Sequence, residues 1–465
     1  MAYFHGVKGS EVATSVLATA SATAGLPVIF GTAPNPKYVN KPIICYSWNE
    51  AVEAFGYSAD WDKFTLCEAM YGEFKLYNVA PAVFVNVLDP AKHKTSVSAK
   101  AYDVGADKTI TLTDAVILTT LTVKNVDYVA MADTDYVAAQ DDEGNTVITI
   151  LEDGSLKSAT SVTVSYDAVD PSAVTASDII NALELLDVIY TMTSLFPGLV
   201  VAPGFSEDPT VASVMCAKAR NIDGIVSCTA LTDIDTSQAK KYSDVYAWKN
   251  KNGYTNNGQV ACWPCGRNGE MVFHLSTHIM GIIGALDASN EDIPYQSPSN
   301  QTMRITGLCL KDGTEVMLSL SQANLLNSQG IVTALNFSGG WKSWGNYTAV
   351  YPSNTDVKDA FICVRRMFDW QKQTFILTYW QKVDQPLTPR LIKTIVDSEQ
   401  IRLNGLVSRG YLLGASVQFL ESDNPTTDLL AGIIRLRVKI TPPVPAQDVE
   451  DITEYDVSNF ETLFS

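Results

Sequence analysis

The chain has 465 residues, 46% of them hydrophobic, and a formal net charge of -18. This predicts several domains with substantial cores and excludes a wholly disordered chain. It also excludes a nucleic-acid reader built on a dominant basic surface. Between Asp103 and Asp170, thirteen acids face three lysines (Lys108, Lys124, Lys157), and six more acids follow Thr441 with no Lys or Arg. The rest of the chain is nearly neutral, so electrostatics favour protein partners.

The most apolar stretch, 179–205, is interrupted by Glu184 and Asp187, which argues against membrane insertion. Near the N-terminus Lys8 precedes VATSVLATASATAG, but Glu11 and the Ser and Thr content spoil a signal-peptide core. Eight scattered cysteines read as reduced, buried thiols of a cytoplasmic protein.

Residues 1–17 lack helical periodicity and read as an N-terminal arm. Residues 18–92 alternate as the first part of an α/β core: a strand at 27–31, a strand at 42–46, a helix capped by Ser47 with Glu50 three residues on, a helix at 63–75 and a buried strand at 82–88. After Asp89-Pro90 the period changes to two, in TITLTD, VITIL and SVTVSY, with turn signals at Glu143-Gly144-Asn145 and Asp153-Gly154. We expect a β-sandwich inserted over 93–171. The helical period returns with a helix capped by Ser177, then strands at 198–203, 224–228 and 259–263 and helices at 211–220 and 274–288. We assign 172–345 to a central α/β domain. Within 346–440, Thr388-Pro389 opens a long helix that Gly410 ends. Ala415, Val417 and Phe419 then alternate as a strand, and Ile434, Leu436, Val438 and Ile440 as its return. Arg435, Arg437 and Lys439 stand on the opposite face of that return strand.

The arm 441–465 opens with three prolines within five residues and holds Asp448, Glu450, Asp451, Glu454, Asp456 and Glu461. Apolar residues recur through it at Val449, Ile452, Tyr455, Val457, Phe460, Leu463 and Phe464. A single-sign, Pro-led segment cannot build a core by itself, and this one is too apolar for a plain solvating tail. We expect it to become ordered on another copy of the chain.

Several patterns imitate chemistry. Cys262-Trp263-Pro264-Cys265 has the spacing of a redox pair, but it ends a strand instead of opening a helix. His274 and His278 lie at i, i+4, yet position 275 is Leu where a metalloprotease needs Glu, and Cys265 is too close for a zinc finger. Asp141, Glu143, Asn145 and Glu152 match EF-hand positions, but Thr146 stands where the loop needs Gly. There is no phosphate loop, nucleophile elbow or dinucleotide fingerprint, and His5 and His93 lie in poor places for a triad. No catalytic residue, cofactor or metal is expected, and the chain reads as a non-enzyme. The competing readings are a thiol oxidoreductase using Cys262 and Cys265, and an adhesin using the β-sandwich.

FHGVKGSEV at the start, NKPIICYSWNEAVEAFG, GLVVAPGFSEDPTVASVMCAKARNIDGIV, SWGNYT, FICVRRMFDW, LTPRLIKTIVDS and GYLLGASVQFLESDNPTTDLLAGIIRLRVKITPPVPAQDV occur in order over nearly the whole chain outside the insertion. In these pieces the sequence resembles the tail sheath proteins of contractile-tailed bacteriophages and phage-tail-like bacteriocins. The resemblance implies a multidomain α/β (α+β) fold: a subtilisin-like central domain without a protease site, the inserted β-sandwich, a C-terminal α+β sheath domain and extended arms. It also implies stacked hexameric rings around an inner tail tube protein, baseplate and tail terminator partners, no direct nucleic-acid contact, and a place in the virion after assembly in the host cytoplasm. The arms would join strands of neighbouring copies through Tyr3, Phe4, Val7, Val449, Ile452, Tyr455, Val457 and Phe460. Arg435, Arg437, Lys439, Arg390 and Lys393 are the candidate contacts for an acidic arm or tube.

Overall fold

A computed structural model describes residues 20–21, 23–35, 37–125, 128–140 and 145–464. The chain divides into two compact units, Met1–Gln385 and Pro386–Ser465. The boundary expected at 346 lies within the first.

The first unit is built on one eight-stranded sheet. Its strands in chain order are β1 (Pro27–Gly31), β2 (Ile43–Cys45), β3 (Ala82–Asn86), β4 (Leu199–Val201), β5 (Thr229–Asp233), β6 (Gln259–Cys262), β7 (Ile331–Asn336) and β8 (Trp341–Trp344), paired in the spatial order β8-β7-β6-β5-β4-β1-β3-β2. The six central strands run parallel and only the outer β8 and β2 are antiparallel. Parallel strands need both faces covered, and the residues obey that rule. Ile29, Phe84, Leu199, Val201 and Leu231 face one core, shared with helices α1 (Thr65–Met70) and α2 (Leu275–Ser289). Val28, Phe30, Val83, Val85, Val200 and Ala230 face a second, with Ile179, Leu183, Val211 and Met215.

The elements expected at 27–31, 42–46, 82–88 and 259–263 are present with small changes at their ends. Three differ. The helix after the insertion is capped by Thr175, not Ser177, because the Asp178 carboxylate reaches back to the Thr175 amide at 2.9 Å and completes a capping box. The segment 224–228 is a turn, with Gly224 at φ 72°, and the strand starts at Thr229. The helix expected over 63–75 is α-helical only to Met70 and then widens into a π-helix, Tyr71–Tyr77.

Between 94 and 169, two antiparallel sheets of three and four strands enclose Ile110, Leu112, Val123, Ile148, Ile150, Val162, Val164 and Tyr166. Strand Lys94–Asp103 is mostly exposed and is bent by a register shift opposite Val164 and Tyr166, a device that discourages further pairing.

Helix α3 (Ile362–Tyr379) lies across the starts of β1, β4 and β5. Gln373 Nε2 donates to Pro197 O (3.0 Å) and Ser227 O (3.1 Å), satisfying carbonyls just before β4 and β5. Asp369 accepts from Arg220 (2.7 Å), Arg365 (2.9 Å) and Ser227 Oγ (2.8 Å). Burial alone would raise its pKa, but these partners hold it below the usual carboxylate range. Arg366 pairs with Asp287 at the end of α2 (3.0 Å) and reaches Ala24 O, before β1.

Glu73 is different. It is fully buried within the π-helix, both of its carboxylate oxygens lack a hydrogen-bond partner, and burial pushes its pKa to about 8. The folded state therefore holds a proton that the unfolded chain releases near the ordinary glutamate value of 4.5, and stability falls as pH rises from there toward 8. The loss is at most about 1.4 kcal/mol per pH unit. Glu73→Met is expected to raise the melting temperature at pH 8, with its advantage over the natural protein shrinking toward pH 5. An advantage independent of pH would show that Glu73 is not held protonated.

Candidate functional site

Open parallel sheets place ligand sites outside the carboxyl ends of their strands, so that edge of the first unit comes first. There Asp233 at the end of β5, Glu68 on α1, Ser206 and Glu207 after β4, and His274, Ser276 and Thr277 at the start of α2 converge. His274 Nδ1 meets Glu68 Oε2 at 2.7 Å, and Glu68 Oε1 accepts from the His274 amide and from Thr277 Oγ1, each at 2.7 Å. Asp233 accepts from the Ser276 amide at 2.9 Å and from the Ser276 hydroxyl. Burial would lower the His274 pKa, but the charge and hydrogen bond of Glu68 win and raise it to about 10. The imidazolium in turn holds Glu68 below its ordinary value.

A serine, a histidine and carboxylates are thus together, yet as a closed structural knot. Asp233, Glu68, Ser206 and Ser276 are buried, and Tyr254 covers Ser206 by donating to its carbonyl at 2.7 Å. The two serines point at Asp233, and His274 points at Glu68 instead of at a hydroxyl. Sequence reasoning missed this knot because its members are scattered from 68 to 277 and share no motif.

The other imitated sites come apart in the same way. His278 is buried against the Tyr77 hydroxyl (3.0 Å), burial lowers its pKa to about 4, and among the described residues no cluster suits a metal ion. His93 is buried between the Asp89 amide (2.9 Å) and Asp178 (3.4 Å). Asp141 and Glu143 lie outside the described residues, and 146–150 is a strand, not a loop. All eight cysteines are free and buried. Burial raises the thiols of Cys262 and Cys265 well above the ordinary value, the reverse of a reactive pair. A thiol reagent at pH 8 is expected to leave both unmodified in the folded protein and to label them after denaturation. Rapid labelling of either in the native state would restore the oxidoreductase reading.

The second unit offers a different kind of site. Helix α4 (Pro389–Ser408), capped by the Thr388 hydroxyl, packs Ile395, Leu403 and Leu406 under an antiparallel pair, β9 (Gly414–Gln418) and β10 (Arg437–Thr441). The return strand begins at Arg437 and not Ile434, because Asn424 holds both the N–H and the C=O of Arg435 away from the ladder, at 2.7 and 2.9 Å. A two-stranded pair on one helix leaves two strand edges for pairing with other chains.

Past Thr441 the chain runs without strand or helix to a 3₁₀ turn at Val457–Phe464. Val449, Ile452, Tyr455, Val457 and Phe460 are all exposed there, by 53 to 87%. Tyr3, Phe4 and Val7 lie outside the described residues. The cations expected to meet the acidic arm are not equivalent. Arg437 makes a two-point contact with Asp423 (2.8 and 2.6 Å), and Arg435 pairs with Asp428. Lys439 has no ion-pair partner among the described residues, and Arg390 and Lys393 are exposed on α4.

No protein-family model matches the chain. It aligns with the tail sheath protein of Burkholderia phage BcepMu at 28% identity, covering 99% of this chain and 98% of that one. The major tail sheath protein of Serratia phage KSP20 aligns at 29% identity over 42% of this chain and 47% of its own. Among solved structures, the anti-feeding prophage baseplate contains a chain that superposes with a TM-score of 0.60 at 15% identity, covering 98% of this chain and 100% of that one. The helical sheath of that prophage in its contracted state gives a TM-score of 0.58 at 16% identity, covering 97% and 99%. The fold is that of contractile sheath subunits. The chain's relatives by sequence are phage tail sheath proteins, and the match to the BcepMu protein runs from end to end.

Proposed function

We propose that the chain is the structural subunit of a contractile tail sheath, whose copies polymerise as stacked hexameric rings around an inner tail tube and contract to drive that tube through a bacterial envelope for genome ejection. The observation that carries this reading is the end-to-end alignment with a phage tail sheath protein, made over a fold shared with contractile sheaths. The second unit supplies a physical means of polymerisation. Its strand pair has edges that an extended segment can join by main-chain hydrogen bonds, and its exposed arm is such a segment. In this reading the baseplate and tail terminator bound the polymer, which forms in the host cytoplasm and becomes part of the virion. Residues 1–17 act as the second arm through Tyr3, Phe4 and Val7, and the regions 18–92, 93–171, 172–345 and 346–440 make up the body of the subunit between the arms.

A headless injection particle would use the same subunit, and the contracted sheath of an extracellular contractile injection system also shares this fold, with a TM-score of 0.58 at 14% identity. Micrographs of particles released from the natural host separate the two by the presence or absence of heads.

Removing 442–465 is expected to leave a folded chain that no longer forms striated tubes in electron micrographs, whereas the full chain forms them. Tubes of normal length from the truncated chain would rule out the arm as a joint. The exposed cations Arg390 and Lys393 on α4 are assigned to an acidic surface of the tube. Lys393→Glu is expected to leave sheath polymers intact and to weaken co-purification of the tube protein several-fold, and unchanged co-purification would remove this contact.

A further inference from the structure

The two edges of the β9–β10 pair differ chemically. At the outer edge of β9, Gln400 of α4 accepts from the Val417 amide through Oε1 (2.9 Å) and donates through Nε2 to Ala415 O (3.3 Å). One side-chain amide thus satisfies an N–H and a C=O two residues apart, the pair of groups that an added strand would engage. Gln400 is itself held by a bond from Nε2 to Asn404 Oδ1 (2.8 Å), one turn further along α4.

The opposite edge has no such cover. Val417 pairs with Val438 and Ala415 with Ile440. Since the outward groups of β9 sit on Val417 and Ala415, the alternation of an antiparallel ladder turns the main-chain groups of Val438 and Ile440 outward on β10. Among the described residues no hydrogen bond from outside the pair meets them.

We propose that Gln400 is an edge guard. It occupies the β9 edge in the free subunit and is displaced when an extended segment of a second copy adds there, so that β10 pairs first and β9 second. The segment that fits is 453–457 of the arm. Tyr455 and Val457, with the β-branched Thr453, alternate there with Glu454 and Asp456, giving one largely apolar face and one acidic face, and Lys439, which has no ion-pair partner among the described residues, stands on the neighbouring strand. Unsatisfied edges invite indiscriminate pairing, and a side chain that mimics the missing strand suppresses it without closing the edge for good.

The inference rests on the sheath reading, and its test keeps the two apart. In the free full-length protein, Gln400→Ala is expected to speed hydrogen exchange of the Val417 amide roughly threefold to tenfold, the loss of one ordinary hydrogen bond, while the melting temperature stays close to that of the natural chain. The same variant is expected to form striated tubes with a shorter lag. Gln400→Glu, which still accepts from Val417 but cannot donate to Ala415, should fall between. In finished tubes the Val417 amide should be equally protected in all three proteins, because a strand has replaced the side chain. Tubes from all three with equal lag, or a Val417 amide that Gln400→Ala leaves unprotected in the tube, would overturn the guard. Absence of tubes from the natural chain together with unchanged Val417 exchange in Gln400→Ala would overturn both readings, whereas absence of tubes with faster exchange would remove the sheath reading and leave Gln400 as the cover of that edge.

Discussion

The first unit depends on how α3 is fastened to the starts of the parallel strands. Strand starts in an open parallel sheet expose carbonyls and amides that no ladder satisfies, and burying them costs free energy unless side chains meet them. Gln373 meets two carbonyls, Arg366 a third, and Asp369 gathers Arg220, Arg365 and Ser227 into one buried network. Removing Asp369 would take from Arg220 its carboxylate partner and leave Arg365 with Asp359 alone, at a cost of roughly 3–5 kcal/mol. Directional bonds of this kind fix α3 against the sheet within the first unit.

At the opposite edge of the same sheet, where an α/β enzyme would keep a crevice, the chain has a filled knot. His274 is spent on Glu68, and Ser206 and Ser276 on Asp233, so groups that could do chemistry hold loops together instead. In the reading proposed above, the functional surface is the strand edges and arm of the second unit. The proposed pairing there draws its specificity from main-chain geometry, alternating side chains and the placing of one amide, Gln400.

Much of this was legible beforehand. Strands β1, β3 and β6 announce themselves as short apolar runs, the sandwich by its period of two, and α4 by its Thr-Pro start. The cysteine pair and the histidines were rejected on local grounds that their burial now explains. Legibility failed where a distant partner decided the outcome. Arg435 was placed on a strand facing an acidic arm, but Asn424 pulls its backbone off the ladder and Asp428 takes its charge. The helix at 63–75 changes to a π-helix, and Glu73 is buried within it with no periodicity to announce a protonated carboxylate.

The sequence by itself determined most of the strands, the helix caps at Ser47 and Thr388, where acid accumulates, and that none of the cysteine and histidine spacings matches a known catalytic motif. Periodicity and capping act over a few residues, so they are written locally. Only the tertiary structure decided that Gln400 covers one strand edge while no described residue covers the other, that Arg437 is neutralised while Lys439 has no ion-pair partner among the described residues, and that Gln373 and Arg366 meet the carbonyls before three strands. Hydrogen bonds and ion pairs require atoms within about 3 Å of one another, and that proximity between residues far apart in sequence is made by folding alone.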